Sequence, residues 1–134
     1  MRYVLDTNIV VAALNGHPEV TRRLNSLSTT DEAVLPAIVL AELRYGAQTS
    51  RRVAENMARI ERLLLAVTFA PVDRPVAERF GDMKAALRQR GVTKSDADLL
   101  VAATAMELSA TLVSHDQALL DGSLTNLIAE DWLA

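Results

Sequence analysis

Apolar and polar positions alternate along this chain in blocks that change period, from short runs of adjacent apolar residues to stripes at helical spacing. Tyr3 to Leu5 is a short apolar run that predicts a buried strand, and Thr7 to Leu14 predicts a helix that stops at Asn15-Gly16. A second helix is expected after Pro18. Ala33 to Leu35 predicts another strand, and Pro36 then opens a long helical stretch carrying Ile38, Leu40, Glu42, Leu43 and Tyr45. Val53, Met57, Ile60, Leu64 and Val67 form one apolar stripe on a helix, which either packs into the core or offers a seam to a partner. Thr68 to Ala70 predicts a third strand, followed through Pro71 and Pro75 by a helix from Val76 to Arg90 that Gly91 ends. Asp98 to Leu108 is apolar nearly all round, the mark of a buried central helix. Thr111 to Ser114 is the fourth expected strand and Leu127 to Ile128 a fifth. Strand and helix alternate throughout, so the fold class is α/β: three layers, with a mainly parallel sheet of four to five strands flanked by helices.

Composition narrows this picture. With 134 residues, half of them apolar, the chain is expected to form one domain over residues 1–134. It has no cysteine, which excludes disulfides, thiolate metal sites and cysteine nucleophiles. The opening MRYVLDTNIV is broken by Asp6 too early for a secretory segment, and no stretch has membrane-span length, so a cytoplasmic protein without membrane contact is expected. A net charge of −3 argues against gripping nucleic acid by bulk charge. Basic patches remain, however, at Arg22-Arg23, at Arg51-Arg52 and across Lys84, Arg88, Arg90 and Lys94.

Ligands of parallel sheets bind outside the carboxyl ends of the strands, and there the sequence concentrates acid. Asp6 follows the first strand, Asp116 follows the fourth, and Asp98 begins the helix leading into the fourth. Glu42, early in the helix after the second strand, supplies a fourth carboxylate. Each residue has a local alternative: Asp6 and Asp116 as helix N-caps, Ser95 and Asp98 as a capping box, Glu42 as an exposed helix residue. Four such residues at one sheet end are costly without a cation, since two carboxylates about 4 Å apart repel by roughly 4 kcal/mol at an effective dielectric of about 20. An oxygen-only site of this kind selects Mg2+ or Mn2+, held by Asp6, Asp98 and Asp116, and suits phosphoryl chemistry. Thr7 and Ser114 stand by to hydrogen-bond the rim. His17 and His115 lack zinc-site spacing and are expected at the surface, and P-loop, dinucleotide and serine-hydrolase signatures are absent.

These segments resemble the PIN domains of VapC toxins. YVLDTNIVVAAL is similar to the family's opening, with Asp6 as first acid and Thr7 and Asn8 beside it; VLAELRYGA resembles the segment of the second acid, Glu42. GVTKSDADLLVAATAMEL resembles the central motif with Asp98, TLVSHDQALL the fourth-strand motif with Asp116, and EDWL the family's ending. Asp96 is either a cap-region residue or a support to the site, and Asp121 is a further acid near the last motif. The resemblance implies a metal-dependent endoribonuclease acting on structured RNA such as tRNA or rRNA, forming a homodimer and silenced by a VapB-type antitoxin. Two other readings stay open: a magnesium-binding phosphotransfer or receiver-like domain, and a catalytically inactive PIN fold that binds RNA or protein.

Overall fold

The computed structural model describes all 134 residues. Five strands, β1 (Arg2–Leu5), β2 (Glu32–Pro36), β3 (Thr68–Ala70), β4 (Thr111–Val113) and β5 (Ala129–Glu130), form one sheet in the order β3-β2-β1-β4-β5. All pairings are parallel, with Val4 opposite both Val34 and Leu112. Seven helices connect them: α1 (Thr7–Leu14), α2 (Pro18–Asn25), α3 (Ala37–Gln48), α4 (Val53–Leu64), α5 (Arg74–Gln89), α6 (Asp96–Glu107) and α7 (Gln117–Leu120). The strand order runs outward from β1 to β3 and then reverses to β4 and β5, so right-handed crossovers send α1 to α4 over one face and α5 to α7 over the other. Three layers result.

One cluster of 23 buried apolar residues holds the layers together. Strands contribute Val4, Leu5, Leu35, Leu112 and Val113, all at most 1 % exposed. Leu99, Val101, Ala102, Ala103 and Ala105 bury nearly every side of α6, as its unbroken apolar sequence predicts. The small alanines let this helix lie close on the sheet. Along α4, Ile60 is buried and Met57 and Leu64 pack on the core, so the stripe is chiefly a packing face against α3. At the chain's end Trp132 is 3 % exposed, meets the Tyr3 ring at a tilt with centroids 5.6 Å apart and lies under the Arg23 guanidinium. No helix is long and apolar enough to cross a membrane.

Boundaries differ from the sequence pattern where capping decides them. Helix α5 starts at Arg74 rather than Val76, because Asp73 caps it through the Val76 N–H and Pro75 fits its first turn. Pro36 is the last residue of β2 and precedes α3 without a side-chain cap. Strand β5 lies two residues beyond the expected Leu127–Ile128, although the Ile128 carbonyl still accepts from the Leu112 N–H at 2.8 Å.

Helix α6 ends in a turn whose left-handed position is Ser109, with φ of 51°, where the Ser109 and Ala110 N–H groups close onto Met106 and Ala105. Helix α5 makes the same turn with Gly91 at that position. A side chain there strains against its own backbone. Ser109→Gly is therefore expected to stabilise the protein by about 1 kcal/mol, read as a higher urea midpoint at unchanged slope.

Candidate active site

The reversal of strand order falls between β1 and β4, and open α/β sheets form their ligand crevice at such a point. Asp6 is the first residue past β1. Its N–H donates to the Val113 carbonyl at 2.9 Å, extending the ladder by one step and fixing the side chain against the end of β4. Both carboxylate oxygens are engaged: Oδ1 accepts from the Thr7 N–H at 2.9 Å, and Oδ2 accepts from the Ser114 hydroxyl at 2.7 Å. Ser114 is fully buried, and its Oγ also accepts the Asp116 N–H at 3.0 Å. A single hydroxyl thus ties the first acid to the backbone of the last. Asn8 adds a second tie, its Oδ1 accepting from the His115 N–H at 3.1 Å.

Glu42 projects from α3 and accepts the Thr7 hydroxyl at 2.8 Å. Asp98 occupies the third position of α6, where its N–H donates to Ser95 Oγ at 3.1 Å. That is half of the expected capping box; the Asp98 carboxylate makes no return bond to the Ser95 backbone. Asp116 caps α7, spending one oxygen on the Ala118 N–H at 3.0 Å and leaving the other open. The capping reading therefore holds for Asp6 and Asp116 without exhausting either carboxylate.

Electrostatics set these four apart. Burial pushes the Asp6 carboxyl up from its ordinary value of 3.8, with Glu42 and Asp116 adding to the rise and the Ser114 and Thr7 hydrogen bonds opposing it. Burial likewise raises Asp98, helped by Asp116, Asp6 and Glu42 and opposed by Ser95. None of the four makes an ion pair, whereas of the remaining thirteen acids only Asp73, Asp82 and Glu130 lack one. Four mutually repelling carboxylates without a counter-charge are the arrangement a divalent cation relieves. No three acidic or imidazole groups close around an ion as they stand. The donor set is nonetheless all oxygen, which suits Mg2+ or Mn2+.

Two acids stand apart from this group. Asp96 opens α6 two positions before Asp98, over half a turn away, and its exposed carboxylate pairs with Lys84 at 2.7 Å. Asp121 pairs with Lys94, whose side chain is 5 % exposed and whose Nζ also donates to the Ala118 carbonyl at 2.6 Å. That lysine holds Asp121 well below the usual carboxylate range. His17 is half-buried rather than at the surface, because its Nδ1 caps α2 through the Val20 N–H. His115 is exposed and bonded to Asp131 at 2.8 Å. Neither that pair nor the buried Lys94 is legible in the sequence, since both depend on where the tail and α7 fold back.

The PIN domain family matches residues 3–122. A protein named Ribonuclease VapC2 from Rickettsia felis is 32% identical over 98% of each chain. Among solved structures, VapBC2 from Rickettsia felis, bound to a DNA fragment from its promoter, superposes with a TM-score of 0.90 at 32% identity over 98% of this chain and 99% of that one. VapBC-1 from nontypeable Haemophilus influenzae does so with a TM-score of 0.85 at 28% identity, over all of both chains. The chain belongs to the PIN domain family.

Proposed function

We propose that this protein is an endoribonuclease, the toxin of a toxin–antitoxin pair, which hydrolyses phosphodiester bonds of structured RNA such as tRNA or rRNA with Mg2+ or Mn2+. It works in the cytoplasm as a homodimer and is restrained by a VapB-type antitoxin. The observation that carries the reading is the group of four carboxylates without counter-charges at the sheet's switch point, in a chain whose relatives are named ribonucleases. Asp6, Asp98 and Asp116 would hold the metal, with Glu42 alongside as the fourth acid. The ion, when bound, supplies charge neutralisation at the phosphate and an activated water. Ser114 and Thr7 keep the Asp6 carboxylate fixed, and the Thr7 hydroxyl orients Glu42. Asn8 and Ser114 fix the backbone that presents Asp116. A receiver-like domain would want a lysine among the acids, but both lysines are engaged by Asp96 and Asp121.

The test is cleavage of tRNA and rRNA by the purified chain. Cutting is expected with Mg2+ or Mn2+ and none with EDTA; cleavage that persists in EDTA, or no cleavage of any RNA with metal, sinks the reading.

The same carboxylates govern stability. Asp6 and Asp98 titrate above their unfolded values, so the native state holds protons the unfolded chain has lost, and the metal-free fold weakens as pH rises through those raised values. A divalent ion at about a hundred times its dissociation constant should restore about 2.7 kcal/mol at neutral pH. Calorimetry with and without Mn2+ is expected to show a higher Tm in the parent and no shift in an Asp6→Asn, Asp98→Asn double variant. An equal shift in both would place the ion elsewhere.

A further inference from the structure

A half-enclosed cavity of about 230 Å³ opens beside the carboxylates, between α1, α3 and α4. Thr7 and Glu42, joined by their hydrogen bond, form one wall, and Val11 and Leu14 give it an apolar floor. Arg59 lines it from α4. Three of the twelve arginines are half-buried, and two of them, Arg23 and Arg79, are paired with Glu19 and Glu107. Arg59 has no acidic partner; it reaches only Asn56 Oδ1, at 3.4 Å, and Asn56 is in turn fixed to Ser50 Oγ at 3.0 Å. Most of the five donors of its guanidinium are thus free to meet an anion that enters the cavity. A cleft of about 750 Å³ along α5 is lined by Arg74 and Arg79, bound to Glu78 and Glu107, and by Arg90, which is exposed and reaches the Ser123 carbonyl, but it lies away from the four carboxylates.

We infer that this cavity is a nucleotide subsite of the RNA strand, in which Arg59 takes a phosphodiester neighbouring the one cut at the carboxylates and the attached nucleoside lies over Val11 and Leu14. The inference rests on the nuclease reading for its substrate. Every nucleotide brings one phosphate, so a strand seated at Asp6 and Glu42 carries an anion past the cavity that Glu42 and Arg59 both line. The planar guanidinium matches phosphate with paired donors. The apolar floor suits the face of an unstacked base, the form in which proteins read single-stranded RNA.

The test measures binding of a short single-stranded oligoribonucleotide to the Asp6→Asn protein by fluorescence anisotropy, apart from cleavage. Adding Arg59→Ala is expected to weaken binding about tenfold to a hundredfold and to reduce the slope of log K against log salt by about 0.7, one phosphate contact. Gly46→Leu fills the cavity from α3, where a Cβ meets nothing within 4 Å. It should fold normally, since leucine favours helix more than glycine does, and should weaken binding with the salt slope unchanged. Unchanged affinity in both variants overturns the subsite. Unchanged RNA affinity with lost inhibition by the antitoxin also overturns it and makes the cavity a protein-docking groove. If Arg59 governs binding but the parent chain cuts no RNA, the subsite stands and the nuclease reading fails.

Discussion

Asp6→Asn is expected to lower metal-dependent RNA cleavage by about a thousandfold while leaving the fold intact. The substitution keeps the size and the acceptor oxygen, so the bonds from Ser114 and the Thr7 N–H survive in part, but it removes a charge that three neighbouring carboxylates already oppose. Loss of that charge weakens the ion's hold and, with it, stabilisation of the charge developing on the phosphate. Single-turnover cleavage at saturating Mn2+ reads the effect, and circular dichroism checks the fold. Retained cleavage in folded protein would remove Asp6 from the mechanism. An equal loss in Asp98→Asn would indicate one shared site, because groups that act as a unit are not additive.

The second large effect is on stability. Leu112 is fully buried in β4, between β1 and β5; its N–H donates to the Ile128 carbonyl on the β5 side, and the carbonyl of the next residue, Val113, accepts the Asp6 N–H on the β1 side. Leu112→Ala should cost about 2–5 kcal/mol, a large share of the roughly 5–15 kcal/mol that holds a domain of this size together. Chemical denaturation checks the number. Activity of the folded fraction at low temperature should fall as well, since a cavity beneath β4 loosens the Ser114 bridge; full activity in that fraction would mean the site is held independently of the core.

Much of this architecture was readable from periodicity. Thr7–Leu14 and Thr68–Ala70 match the structure at both ends, because each is bounded by strong signals: an N-cap and Asn-Gly for the first, proline for the second. The convergence of Asp6, Glu42, Asp98 and Asp116 also followed from sequence, since strand ends in a parallel sheet share one edge. Other features were not legible. Strand β5 has two half-buried residues at a sheet edge, too little burial to impose a pattern, so the apolar Leu127–Ile128 beside it drew the expectation instead. Asp96 and Asp121 are set apart from the site acids by the lysines that reach them, a matter of tertiary placement. The missing counter-charge of Arg59 is likewise a property of space: Glu55 and Glu61 lie close to it in sequence, yet they pair with Arg52 and Arg44.

The bond from Ser114 to Asp6 spans 108 positions of the chain. During vectorial synthesis Asp6, Glu42 and Asp98 leave the ribosome first, on a sheet that still lacks β4 and therefore has no switch point to gather them. The four carboxylates can come together only once the last fifth of the chain has emerged and paired alongside β1, so the site is the last part of the fold to be completed.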